Sequence, residues 1–390
     1  MQRRYPHFPY LGAIFIITGI FCVVIIVCEL TLRSLFHLYY VWPPRMHITF
    51  TPIERIHPGI LGKSDFIINS FGIRGDEFSQ NQDYRILAIG GSTTISEYLD
   101  QKETWAYLLQ QELSEGSKNV WVGNVGKSGF TSRSHIVQIK YLIPQYPKID
   151  AVICLIGVND LQKRLAKDNF EPVVLKDDRD PIDLSNVFVE YPVWKIEDKD
   201  TPFHQKTFLW HLLKKLHKAI FIKYHKVEIF DEAGNKHEKY RNYRKYTKEM
   251  RSELPDMNSL FVEYRQNLNA MIDLAQKYHV RIIFATQPVL WKEGLSDELN
   301  NLLWFGWVGN VVTGEPKAYY SVEALKKGMD SMNEILRDVC RKRSVECIDL
   351  VPKLPQDTSV FYDDCHLNEN GSRQIAKRIA AYFKEKEISK

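Results

Sequence analysis

Four short stretches hold hydroxyl, amide, carboxylate and imidazole groups beside glycines or at a fixed spacing. The first is Ile89-Gly90-Gly91-Ser92-Thr93-Thr94. Two glycines let the chain turn sharply and leave the Ser92 hydroxyl exposed, as at a nucleophile elbow. The second, Asn124-Val125-Gly126-Lys127-Ser128-Gly129, offers glycines where a main chain can come close to a ligand. The third is Gly157-Val158-Asn159-Asp160, and the fourth is Asp363-Asp364-Cys365-His366, followed by Asn370-Gly371. Each stretch also has an ordinary reading. Ser92 suits a helix N-cap, Asn159-Asp160 an Asx turn, and Asp363 with His366 the cap of a final helix. Their joint occurrence at the ends of expected strands is hard to explain without a reaction, because ligands of open α/β sheets bind at the carboxyl edge.

The elements that must position these groups are legible as apolar runs. Five runs rich in β-branched residues are expected as strands: Arg85–Ile89, Val120–Asn124, Ala151–Ile156, Val280–Thr286 and Ser344–Leu350. Helical periodicity fills the intervals over Trp105–Leu113, Ser134–Gln145, Leu260–Tyr278, Val322–Lys342 and Ser372–Lys384. Strand–helix alternation implies parallel pairing, since parallel neighbours need crossover connections. Continuous apolar strands imply burial on both faces. The expectation is an α/β fold: a three-layer α/β/α sandwich on a five-stranded parallel sheet of flavodoxin-like order 2-1-3-4-5. The interval 163–258, first acidic and then basic, interrupts the rhythm and reads as an insertion after the third strand.

The four stretches, in this order and at these strand ends, resemble the SGNH (GDSL-type) hydrolase family over roughly residues 69–384. The family's usual Gly-Asp-Ser is Gly90-Gly91-Ser92 here, a departure that does not touch a triad acid. Gly72-Ile73-Arg74-Gly75 looks like the corresponding segment of membrane-anchored bacterial members. The resemblance implies Ser92 as nucleophile, His366 as general base and acid, and Asp363 as the group orienting the imidazole. It further implies an oxyanion hole from the Ser92 amide, the Gly129 amide and the Asn159 side chain, with Gly126 an open alternative to Gly129. The implied function is a serine esterase acting on an acylated cell-envelope glycan or lipid. An O-acyltransferase of a surface polysaccharide would use the same acyl-serine chemistry. A non-catalytic glycan-binding or assembly protein is the third reading.

Trp291, Trp304 and Trp307 follow the fourth strand in a loop that should overhang the same edge, where aromatic faces could stack on a sugar ring; core packing is the commoner role. No cofactor or metal site is expected. Gly126-Lys127-Ser128 lacks the rest of a phosphate loop, and His237-Glu238 is not followed by the second histidine of a zinc-protease helix. Cys340, Cys347 and Cys365 could supply one disulfide, without a deducible pairing.

With 390 residues, 44% hydrophobic and 26% charged, the chain has globular composition. A net charge of +4 is too balanced to argue for nucleic acid as a partner. A mean hydropathy of −0.30 excludes a polytopic membrane protein but not a single span. One span is expected: Tyr10–Cys28 carries no charge and, at about 1.5 Å per residue, covers roughly one hydrocarbon thickness. No small-x-small cleavage site follows it. Arg3 and Arg4 precede the span and Glu29 follows, so the N-terminus is expected in the cytoplasm and the catalytic domain outside it, periplasmic or otherwise extracytoplasmic. The expected organisation is a tail (1–9), an anchor (10–30), a stalk leading into the domain (31–80) and the hydrolase-like domain (81–390). Leu209, Leu212, Leu213, Leu216 and Ile220 recur at helical spacing between lysines, either as a membrane-surface helix or as one docked on its own domain.

Overall fold

A central sheet is built from strands β1 (Tyr84–Gly90), β2 (Val120–Asn124), β3 (Ala151–Leu155), β4 (Arg281–Ala285) and β5 (Glu346–Ile348). This computed structural model describes residues 9–35, 37–114, 118–168, 184–192, 202–225, 231–312, 314 and 316–386. All neighbouring strands pair in parallel in the order β2-β1-β3-β4-β5, the expected arrangement. Every residue of β2 and β3 is buried, which is why these runs lack polar alternation. The register sets Ala88 opposite Asn124, Gly90 opposite Leu155, Leu155 opposite Ala285, and Ala285 opposite Ile348. That alignment brings the carboxyl ends of all five strands to one edge.

Helices α3 (Trp105–Leu113) and α10 (Glu369–Glu385) pack together on one face. Helices α4 (Ser132–Leu142), α8 (Asn258–Lys277) and α9 (Val322–Arg343) pack on the other. In α8 the buried residues Leu260, Tyr264, Leu268, Met271 and Ala275 recur every three or four positions, giving one apolar stripe towards the sheet. Side-chain caps fix the helix starts. Thr104 accepts from the Tyr107 amide, Ser321 from Ala324 and Asn368 from Gly371.

The chain divides into two compact units, residues 40–189 with 229–390 and residues 1–39 with 190–228. Two expectations change here. Residues 40–80 are no stalk but part of the sheet-bearing unit: Val41, Phe50, Ile56, Ile60, Phe66 and Ile73 are all buried in its core. The interval 163–258 is not one insertion either, because its middle belongs to the other unit and its last part to this one.

In the smaller unit, α1 (Pro9–Leu35) contains a 24-residue segment, Gly12–Leu35, with an 18-residue window of mean hydropathy 2.8, long and apolar enough to cross a membrane. Helix α6 (Phe208–His225) begins where its first amides, those of Phe208 and Leu209, donate to the Glu29 carboxylate of α1. Its leucines at 212, 213 and 216 are exposed, so that stretch of the apolar stripe is not docked against described residues. All six cysteines are free thiols, and Cys340, Cys347 and Cys365 form no disulfide.

Candidate active site

The site starts where β1 runs out. Gly90 and Gly91 lead into α2 (Ser92–Ile95), a single helical turn. A Cβ at Gly90 would fall 2.1 Å from Thr94 Oγ1 and 2.5 Å from the Leu155 carbonyl oxygen. One at Gly91 would fall 2.2 Å from Asn159 Nδ2. Both glycines are therefore demanded by close approach. Gly91 is the N-cap of α2 and no side chain caps it, so Ser92 is not spent as a helix cap. Arg74 braces the turn that follows. Its buried guanidinium donates to the carbonyls of Ile95, Ser96 and Leu99 and to Gln101 Oε1, which accounts for the arginine of the Gly-Ile-Arg-Gly segment.

From the loop before α10 comes the imidazole. His366 Nε2 lies 2.7 Å from Ser92 Oγ, across 274 residues of sequence. Its Nδ1 lies 2.8 and 2.7 Å from the two oxygens of Asp363. A carboxylate only accepts, so Nδ1 carries the proton, Nε2 is the acceptor, and the Ser92 hydroxyl donates to it. Asp363 is fully buried, and its Oδ1 also accepts from the amides of Cys365 and His366. Its Oδ2 accepts from Trp304 Nε1 at 2.9 Å. Burial would raise the Asp363 pKa, but the His366 charge and these donors hold the carboxyl below its ordinary range. For His366 burial pulls downward, and the charge and hydrogen bond of Asp363 outweigh it, leaving the imidazole raised. Asp363, Cys365 and His366 present ligand atoms within 4.8 Å of one another. The 2.7 Å contact is that of an imidazole–carboxylate hydrogen bond, closer than two ligands on one zinc ion sit.

Asn159 and Gly129 line the same cleft as Ser92 and His366. Gly157, at φ +124°, opens helix α5 (Val158–Leu165) and sets Asn159 in its first turn. Asn159 Nδ2 donates to the Phe130 carbonyl at 2.9 Å, leaving its second hydrogen for a ligand. The neighbouring Asp160 is buried and accepts from the Ser132 amide and hydroxyl, locking α5 to the start of α4. Gly129 adopts φ +79° with open space where a Cβ would stand. The Gly126 amide is occupied by Asn124 Oδ1, which favours Gly129 as the donor that faces a ligand.

These groups open on a cleft of about 390 Å³. Trp304 and Trp307 line it, stacked at 5.3 Å and 6° from parallel, and Trp304 lies 4° from parallel to His366. Trp291 does not join them. It is fully buried and donates from Nε1 to Asp364 Oδ1, an anchoring role that corrects the expected contact with substrate. Asp364 Oδ2 also accepts from the amides of Trp304 and Phe305, so Asp364 holds the main chain of the tryptophan loop while Asp363 holds the imidazole and the Trp304 indole. Gln162 clasps the same loop through Gly306 and Trp307. Helix α7 (Asn235–Lys245) adds Lys236, His237 and Tyr240 to the wall. Its Arg241 and Arg244 donate to the carbonyls of Leu302, Tyr362 and Phe305. None of these α7 contributions carries a sequence motif; the one usable signal was the basic, aromatic-rich run from Lys236 to Lys245.

Residues 88–374 match the GDSL-like Lipase/Acylhydrolase family. Similar solved structures include a lipolytic G-D-S-L protein from Veillonella parvula, at 12% identity over 77% of this chain and 98% of that one (TM-score 0.40). A psychrotrophic esterase from Pseudoalteromonas sp. shares 12% identity over 78% and 98% (TM-score 0.38). A lipase/acylhydrolase from Enterococcus faecalis shares 13% over 78% and 96% (TM-score 0.38). No curated protein sequence matches.

Proposed function

The chain belongs to the GDSL-like lipase/acylhydrolase family, and from that premise we propose that it is a membrane-anchored serine esterase whose nucleophile is Ser92. The observation that carries this reading is the unbroken line of hydrogen bonds from Ser92 through His366 to buried Asp363. His366 takes the hydroxyl proton as Ser92 Oγ attacks the ester carbonyl, then returns it to the departing alcohol. Water, activated by the same imidazole, releases the acid. Amides of Ser92 and Gly129 with Asn159 Nδ2 stabilise the oxyanion. Trp304 supports this chemistry from behind by fixing Asp363. Neither metal nor cofactor has a part in the scheme. The substrate is an acylated glycan or lipid of the cell envelope, reached by a domain held outside the cytoplasm on α1, with exposed Leu213 and Leu216 of α6 as a second lipid contact. The test is labelling by a fluorophosphonate together with hydrolysis of a short aryl ester. Both should be present in the wild type and absent from Ser92→Ala at an unchanged melting temperature. Equal labelling of the two proteins would overturn the assignment.

A further inference from the structure

Two imidazoles that this scheme leaves idle meet behind the cleft wall. His57 Nε2 and His237 Nδ1 lie 2.9 Å apart, in side chains 180 residues distant in sequence. His57 is completely buried and His237 is 5% exposed. The His57 ring is caged against the start of α7, where a Cβ at Gly234 would fall 1.9 Å from its Cε1. Its other nitrogen, Nδ1, is sealed from solvent without a hydrogen-bond partner among the described residues. Packed against Tyr98 and Tyr362, His57 has one side-chain hydrogen bond among the described residues, to Nδ1 of His237. The ring of His237 is further fixed by stacking on Trp304 at 5.3 Å. With Nδ1 engaged, Nε2 is the ring nitrogen left to meet a ligand in the cleft that His237 lines. Burial drives both imidazoles down, His57 to about 4, so the pair stays neutral beside the reactive groups. The charged and titratable groups around it are Lys236, Arg241, Asp363, His366, Tyr98 and Tyr362.

Position gives this nitrogen its meaning. The His237 ring lies 6.3 Å from that of His366 and 21° from parallel to it. His366 hands its proton to the departing oxygen, so a group beside it faces the alcohol half of the ester. Tyr240 and Trp307 line the same wall with aromatic surface. A fixed neutral hydrogen-bonding atom between aromatic faces suits a ring that is apolar on its faces and hydroxylated at its edge. We propose that His237, with Tyr240 and Trp307, forms a subsite for a hydroxylated, carbohydrate leaving alcohol, and that His57 is the positioning residue that aims it. This rests on the serine-esterase reading and selects the glycan ester from the two substrates that reading admits.

The experiment compares two acetate esters with the same acyl group, a nitrophenyl acetate and a monoacetylated methyl glucoside, on the full chain in detergent. His237→Phe keeps a stacking ring and removes the nitrogen. It should lower kcat/KM for the sugar ester about tenfold or more beyond any loss on the aryl ester, mainly through KM. His57→Phe should give the same selective loss in weaker form. Fluorophosphonate labelling of Ser92 and the melting temperature report whether each variant is folded with its nucleophile intact. Equal losses on both esters, or no loss on the sugar ester, would overturn the subsite, as would a wild type that cleaves only the aryl ester. A wild type that neither labels nor cleaves either ester removes the serine-esterase reading itself.

Discussion

Replacing Asp363 by asparagine tests the relation between hydrogen-bond geometry and rate most severely. The amides of Cys365 and His366 donate to Oδ1, so the carbonyl of the new side-chain amide must take that place and its NH2 the place of Oδ2. There the NH2 faces two groups, Trp304 Nε1–H at 2.9 Å and His366 Nδ1 at 2.7 Å. The Oδ1 carbonyl, 2.8 Å from Nδ1, already accepts from two amides, and the NH2 opposes an Nδ1 proton, so His366 accepts from the NH2 by moving its proton to Nε2. That proton then points at Ser92 Oγ, 2.7 Å away, and the imidazole no longer accepts the serine proton. A triad locked in the wrong tautomer loses about 10³–10⁴ in kcat, or about 4–5.5 kcal/mol of barrier. Stability falls too, since Trp304 Nε1–H is left against another donor in a buried site, at a cost of about 1–3 kcal/mol. Aryl-ester kinetics at pH 8 and thermal unfolding measure the two effects. Adding Trp304→Phe removes the opposed donor and should recover part of the melting temperature but none of the rate. A D363N variant within tenfold of wild-type kcat, or a double variant that regains activity, would refute the tautomer argument.

Gly91→Ala drives a Cβ into Asn159 Nδ2 and should cost about 10² in kcat with little change in KM, because one oxyanion donor is displaced; aryl-ester kinetics within threefold of wild type would contradict it. His366 must be neutral to accept the serine proton, and Asp363 holds its pKa above the ordinary 6.5. The acid limb of kcat/KM should therefore have its midpoint above 6.5, as a pH–rate profile would show. Glu103 is raised from an ordinary 4.5 to about 7, first by burial and then by the charge of Glu369. The folded state thus holds a proton that the unfolded chain releases, and this contribution is lost as pH rises from about 4.5 to 7. Glu103→Gln should raise the melting temperature at pH 8 and leave it unchanged near pH 4.

The parts of the molecule that could be read from sequence are those whose cause is local. A strand buried on both faces is a continuous apolar run, and a crossover helix has its own period, so the parallel pairing of β1 to β5 followed from alternation, and their order from alternation together with the motifs at successive strand ends. Ser92 after two glycines, and Asp363 three residues before His366, also carry their spacing within a few positions. Contacts closed over long separations left no such trace. His57 meets His237 across 180 residues, and Trp304 meets Asp363 across 59. Trp291 and Trp304 look alike in sequence, yet one anchors on Asp364 inside the core and the other lines the cleft. Residues 40–80 have scattered apolar positions broken by prolines, with neither helical nor strand period, and so read as a tether although Ile56 and Ile60 are core.

The arginines of α7 grip the tryptophan loop in a particular way. Arg241 and Arg244 donate to main-chain oxygens of Leu302, Phe305 and Tyr362, and to no side chain there among the described residues. A clasp on carbonyls fixes the path of a loop and is indifferent to the residues it displays. Cleft-lining side chains such as Trp307 and Val312 can thus be exchanged over generations without unseating the loop, whereas Trp304 stays tied to the carboxylate behind it. Selection on what the enzyme accepts is thereby separated from selection on how it reacts, and descendants of this chain could change diet while keeping the same chemistry.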